Sequence, residues 1–220
     1  MERLEVMSRP EASAISNDQI SGALSPFGIE PSADQFDKIR AYVSILLKWN
    51  RLLSLTSVTD PVEIVSRHFG ESMFASTVLP VENCRLVDVG SGAGFPGLAL
   101  KVLCPSLRVT LIESNNKKSA FLSEVVRSLN LTGVEVLTIR FEEVRAEAGS
   151  FDIVAARALG GFPELLRWAR GMLTERGHLV LWVGGEDTTR ITSIGGWVWN
   201  PAIRIPESQR RFILTGRPLR

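Results

Sequence analysis

The stretch from Leu86 to Gly97 constrains this chain more than any other: it reads Leu-Val-Asp-Val-Gly-Ser-Gly-Ala-Gly-Phe-Pro-Gly. Leu86, Val87 and Val89 predict a short apolar strand, with Asp88 set just before its end. Gly90, Gly92 and Gly94 then let the backbone turn tightly and approach a ligand with no side chain in the way. Pro96 sits where a helix would start, a place where its missing N–H costs nothing. Strand, glycine loop and helix together make a nucleotide cradle.

Two classes of nucleotide are compatible with the loop. Gly92, Gly94 and Gly97 satisfy the dinucleotide pattern G-x-G-x-x-G, and Glu113 follows about 20 residues on, where a ribose-binding acid is expected. That reading makes the chain an NAD-linked oxidoreductase. The phase points elsewhere. The first glycine after the strand is Gly90, so the run is D-x-G-x-G-x-G, and Asp88 occupies a place where a dinucleotide fold usually has an apolar residue. This form resembles motif I of the methyltransferases that use S-adenosylmethionine (SAM).

Upstream, Phe36, Ile39, Val43, Leu46 and Leu47 recur at helical spacing behind a capping Ser32. Asp60-Pro61-Val62-Glu63 is a capping box with Pro at the first helical position. It predicts a helix to about Phe69, a further helical piece to about Val78, and a stop at Pro80. Residues 1–80 thus read as a helical N-terminal cap, whose first part, Met1–Asn17, is a polar extension without a signal core. Residues 81–220 read as one nucleotide-binding unit. Strands are predicted at Leu86–Val89, Arg108–Ile112, Val134–Ile139, Phe151–Ala155 and Gly177–Val183. The intervening helices lie at Gly97–Leu103, Ser119–Leu129, Glu142–Ala146 and Pro163–Met172. Such alternation predicts an α/β fold, a parallel sheet with helices on both faces that binds its ligand at the carboxyl ends of the strands. The tail breaks the pattern: Trp197–Ile205 and Arg211–Thr215, joined through Pro206–Gln209, predict a closing antiparallel hairpin.

Composition narrows the setting. With 220 residues, 45% of them hydrophobic, the chain can bury a sizeable core. It has no apolar run long enough to span a membrane. Cys84 and Cys104 suggest reduced thiols in a cytoplasmic protein rather than a disulfide framework or a metal site. The net charge of +1 does not announce a nucleic-acid binder, although 20 of the 25 basic residues are Arg, whose planar fork suits phosphate and guanine edges.

Candidate site residues follow from the predicted sheet. Glu113, at the end of the second strand, can accept both ribose hydroxyls of an adenosine; otherwise it is a solvated acid. Phe141 and Glu142 follow the third strand, where an apolar ring and the backbone can meet the adenine; alternatively Glu142 satisfies a helix dipole. Arg157, after the fourth strand, can hold the carboxylate of methionine or a guanine edge. Arg67 and His68 can touch RNA phosphate or pack beside the cofactor, and Lys117-Lys118 opens a helix. The chain lacks the Asn/Asp-Pro-Pro-Tyr/Phe run with which many methylases of exocyclic amines accept an amino proton. Its absence fits a nucleophile with no proton to lose, such as guanine N7, so no general base is assigned.

Several separated motifs in one order resemble the bacterial small-subunit ribosomal RNA guanine-N7 methyltransferases, the glucose-inhibited division protein B family. They are Trp49-Asn50-Arg51, Leu55-Thr56-Ser57-Val58, Asp60-Pro61, Arg67-His68-Phe69-Gly70-Glu71-Ser72, the 88–97 loop, Arg140-Phe-Glu-Glu143 and Arg157-Ala158. The resemblance implies a Rossmann-like class I methyltransferase fold: a mostly parallel seven-stranded sheet with a helical cap. It implies methyl transfer from SAM to N7 of one guanine of 16S rRNA near the decoding centre; separately, a cytoplasmic monomer without metal is expected. Cofactor contacts are implied at Gly90, Phe95, Phe141, Glu142 and Arg157. The chain departs from the family pattern twice. Leu181-Trp182-Val183-Gly184 stands where the family carries Leu-Lys-Gly, and Arg210-Arg211 where it carries Arg-His. A non-catalytic RNA- or ribosome-binding module is the alternative that the missing Lys suggests.

Overall fold

After the exposed Arg85, each residue of the first strand is buried, and successive apolar residues serve different cores. Leu86 packs on one face of the sheet, while Val87 and Val89 pack on the other. That is the pattern of a central strand covered on both sides. The structure, a computed structural model, describes residues 15–145, 147–158 and 160–219.

One face is covered largely by the N-terminal helices. Ser16 and Ser32 cap α1 (Asn17–Leu24) and α2 (Ala33–Leu53), each in a reciprocal capping box with the Gln three residues on. Asp60 accepts the Glu63 N–H to cap α3 (Pro61–Ile64). The chain then widens into a π turn, Val65–Gly70, before α4 (Glu71–Met73) and α5 (Ala75–Val78). Ile20, Leu24, Ile39, Leu46, Ile64 and Phe69 join Leu86, Ile153 and Val180 of the sheet in a continuous core.

The α/β part runs β1 (Arg85–Val89), α6 (Gly97–Leu103), β2 (Arg108–Ile112), α7 (Asn116–Ser128), β3 (Val134–Leu137), β4 (Phe151–Arg157), α8 (Phe162–Met172) and β5 (Leu173–Gly184). It continues through α9 (Gly185–Thr192), β6 (Trp197–Trp199), β7 (Ile203–Arg204) and β8 (Arg211–Pro218). The sheet order is β3-β2-β1-β4-β5-β8-β6. The first five strands are parallel, and β8 lies antiparallel between β5 and β6. Strand order reverses between β1 and β4, so the loops after these two strands flank the crevice where such sheets bind ligands.

The mostly parallel sheet and closing antiparallel hairpin are as expected, with differences in detail. The sheet has eight strands, not seven, because the expected single strand Trp197–Ile205 is two. Pro201 has no N–H for the ladder, and it separates β6 from β7, which both pair with β8. β3 ends at Leu137 instead of Ile139. The helix expected at 142–146 is a single 3₁₀ turn, Phe141–Glu143, and Ala146 lies outside the described residues. β5 starts at Leu173, ahead of Gly177, with a register shift against β4. Helices α1 and α9 were not anticipated. Of the polar extension, residues 1–14 lie outside the described residues, whereas Ser16 already caps α1.

Gly216 of β8 leaves room for the Trp199 ring: a Cβ built there would stand 2.5 Å from it. Gly216→Ala must therefore displace the indole. The expected loss is about 1–3 kcal/mol, the usual cost of overpacking, read as a lower urea midpoint with altered tryptophan fluorescence.

Candidate active site

The glycine loop is held by two buried carboxylates. Gly90, Gly92 and Gly94 all have positive φ, at 71°, 54° and 84°. The N–H groups of Gly90 and Ser91 both donate to the Ile112 carbonyl, so the loop crosses over the end of β2. Glu113 then reaches back: its Oε2 accepts the Gly92 N–H at 3.0 Å and its Oε1 the Asn115 N–H at 2.8 Å. From inside β1, Asp88 Oδ2 accepts the Gly97 N–H at 2.9 Å. A Cβ at Gly97 would stand 2.8 Å from that oxygen. Gly97, the third glycine of the dinucleotide pattern, is therefore explained by Asp88 reaching the main chain, with no pyrophosphate required.

Two aromatic residues and a histidine pack against the loop. The Tyr42 hydroxyl donates to the Ala93 carbonyl at 2.7 Å, and a Cβ at Gly94 would overlap that hydroxyl. Phe95 is buried, its ring stacked on Tyr42 at 5.3 Å and on His68 at 5.0 Å, with Phe69 edge-on at 5.1 Å. Phe95 is thus a packing anchor, and what it can offer a cofactor is its backbone. His68 is half-buried and lies 2.7 Å from Thr56 Oγ1 through Nε2. Arg67 keeps its guanidinium near the surface, paired with Glu63 at 2.8 Å. The two neighbours proposed for RNA contact therefore point to different environments.

Arg157, at the end of β4, is committed to the helical layer. It donates to the Arg67 carbonyl at 2.9 Å, to Glu71 at 3.1 Å and to Ser72 Oγ at 3.4 Å. Glu71 is 2% exposed and also binds Arg211 of β8 at 2.8 Å, while its carbonyl accepts the Trp182 indole N–H at 2.7 Å. One buried acid thereby ties α4 to β4, β5 and β8. Burial raises the Glu71 carboxyl above its ordinary range, against the pull of Arg157, Arg211 and Arg67. Phe141 packs edge-on against Trp168 at 5.6 Å, and Glu142 is exposed, both beyond the end of β3.

A cavity of about 260 Å³ opens beside the loop, over the ends of β4 and β5. Glu71, Arg157, Phe162, Trp182, Asp187 and Arg211 are among its lining residues. Whole small-molecule sites run to ~300–1,000 Å³, so this cavity suits a single planar base better than a nucleoside cofactor. Sequence reasoning assigned no role to Tyr42, Glu71, Phe162, Trp182, Asp187 or Arg211. The available signals were the chain's single tyrosine on an apolar helix face and the acid within Arg67-His68-Phe69-Gly70-Glu71-Ser72. Among the described residues no cluster of His, Cys, Asp or Glu is placed to hold a metal, and no helix is long and apolar enough to cross a membrane.

A glycine loop after β1, an acid after β2 and an antiparallel strand inserted between β5 and β6 define the class I methyltransferase fold. The solved structure of a SAM-dependent methyltransferase from Aquifex aeolicus superposes with a TM-score of 0.61 at 16% identity, over 79% of this chain and 97% of that one. The family described as GidB, rRNA small subunit methyltransferase G, matches residues 35–193, and the chain belongs to it. Ribosomal RNA small subunit methyltransferase G of Pseudomonas entomophila is 37% identical over 90% of this chain and 89% of its own length. The protein of the same name from Desulfitobacterium hafniense is 37% identical over 72% of this chain, which spans 66% of that protein's length.

Two titrations set the acid behaviour. Burial raises Asp88 to about 7, tempered by the hydrogen bond from the Gly97 N–H, and burial with nearby Arg157 lowers His68 to about 3. Asp88 therefore loses stabilisation as pH rises from about 4 through about 7, whereas His68 loses it as pH falls from about 6.5 through about 3. The two slopes oppose each other between pH 4 and 6.5. Asp88→Asn removes its share of the opposing slope, so that the change of stability with pH should become more positive than in the wild-type protein by up to ~1.4 kcal/mol per unit; urea titrations of both proteins across that window check the sign. Glu71→Ala leaves the Arg157 guanidinium buried without its counter-ion. A loss of about 3–5 kcal/mol is expected, measured by equilibrium unfolding.

Proposed function

We propose that this protein transfers a methyl group from SAM to N7 of a guanine of 16S rRNA near the decoding centre, acting on the small ribosomal subunit as a cytoplasmic monomer. The observation that carries this reading is the pairing of an open glycine cradle, braced by Glu113, with a base-sized cavity across the switch point.

The cradle suits the cofactor. A Cβ at Gly92 would meet nothing closer than the Gly90 carbonyl at 3.8 Å, so the space beside it is open to a ligand. The Glu113 carboxyl keeps lone pairs for the ribose hydroxyls while holding Gly92. Gly90, Gly92, Gly94 and the Phe95 backbone would line the donor side, Phe141 and Glu142 the adenine end, and Arg157 the boundary with the cavity. When bound, SAM supplies a methyl group on a positively charged sulfur. The protein's own contribution is placement: the cavity walls orient the base so that its in-plane N7 lone pair faces the donor. Proximity and orientation then carry most of the rate. N7 has no proton to lose, so the transfer requires no general base. In this reading residues 1–80 form a cap over the 81–220 methyltransferase unit, and Arg67 offers a cation to the RNA at its edge.

Tritiated SAM incubated with small subunits from cells lacking the enzyme should label 16S rRNA, and RNA carrying 7-deazaguanine should stay unlabelled. Gly92→Asp, which fills the cradle, should abolish SAM binding by calorimetry. Clean binding of NAD with no heat from SAM would overturn the proposal.

A further inference from the structure

Arg211 enters the cavity wall from β8, where it pairs in register with Gly184 of β5. One end of its guanidinium is fixed on Glu71 at 2.8 Å. Its Nε is buried and has no hydrogen-bond partner among the described residues. A buried donor without an acceptor is costly, so this N–H is set for an acceptor that arrives with a ligand. Asp187, in the first turn of α9, lines the same cavity. A Cβ at Gly184 would lie 3.9 Å from Asp187 Oδ2, which brings the carboxylate close to the backbone opposite Arg211. Its ion partner is Arg190 at 3.6 Å, a long contact that leaves acceptor capacity. Phe162 and Trp182 supply apolar surface.

A donor and an acceptor in a fixed order complement the edge of one purine, because guanine and adenine present the two groups in opposite order. Guanine presents O6 as acceptor next to N1–H and the 2-amino group as donors; adenine presents a 6-amino donor next to an N1 acceptor. O6 also adjoins N7, so a base held through O6 keeps its N7 lone pair free. We propose that Arg211, with Asp187, is the specificity-determining pair of the acceptor pocket: Arg211 Nε–H donates to O6 and Asp187 accepts from N1–H. This rests on the methyl-transfer reading above. It also accounts for the two departures from the family pattern: the chain has no Lys after β5, and the second residue of its Arg-Arg pair supplies a cation to this cavity.

Arg211→Lys keeps a positive charge for Glu71 but removes the Nε–H. The test compares methyl transfer to reconstituted subunits carrying guanine or 2-aminopurine at the target, located first by mass spectrometry of the wild-type product. 2-Aminopurine lacks both O6 and N1–H. Wild-type protein should favour guanine by roughly ten- to hundredfold in kcat/KM, the discrimination typical of a good base-edge contact. In Arg211→Lys that preference should fall several-fold with SAM affinity unchanged. Asp187→Asn, which leaves the Glu71–Arg211 pair intact, should do the same and decides the matter should Arg211→Lys fail to fold. Wild-type preference retained in the folded Arg211→Lys variant, or in Asp187→Asn where that variant decides, overturns the pair alone. Absence of N7 methylation by the wild-type protein overturns both the pair and the function on which it rests.

Discussion

The hydrogen bonds from loop N–H groups to Asp88 and Glu113 are the constraint on which the site depends. A loop with three glycines at positive φ has little intrinsic preference for one shape, since glycine loses the most conformational freedom on ordering. Here the ordering comes from outside the loop. Asp88 takes the Gly97 N–H from within β1, and Glu113 takes the Gly92 N–H from the end of β2. Both acids are buried, so each bond forms in surroundings where water competes poorly. The parallel pairing of β1 with β2 brings the two carboxylates to opposite sides of one turn.

The second half of the site depends on a different buried acid. Glu71 belongs to the helical layer, yet its partners are Arg157 of β4 and Arg211 of β8, and its carbonyl takes the Trp182 N–H of β5. Loop and cavity are therefore linked through the same layer: Phe69 packs against Phe95 of the loop, and Glu71, two residues later, holds the cavity wall. The intervening π turn, Val65–Gly70, runs against Phe27, whose ring would be 2.4 Å from a Cβ at Gly70.

What was legible in the sequence was local. The bounds of β2 and α6, and β1 to within a residue, follow from apolar periodicity and from glycine or proline at their ends. The cradle and Glu113 follow from spacing along one βαβ unit. The elements that escaped depend on distant partners. Nothing near Glu71 in sequence announces that a buried carboxylate will meet guanidiniums from β4 and β8. Arg211 sits in an ordinary β-like run, and only the insertion of β8 between β5 and β6 turns it toward the cavity. Phe95 looks like a residue facing a ligand because it stands in the loop; the rings of Tyr42 and His68, from two separate helical segments, make it a core residue. The break at Pro201 was visible as a residue, but its effect depends on which edge of β8 the strand adopts.

The inserted position of β8 also bears on how the molecule comes into being. Synthesis runs from the amino end, and the glycine loop with both of its carboxylate anchors, Asp88 and Glu113, has been made once β2 and α7 have emerged. The cavity wall waits for the strand carrying Arg211, and β6, whose strand partner among the described residues is β8, has no strand to pair with until then. The anchors of the glycine loop thus precede, in the order of synthesis, the strand that completes the cavity wall.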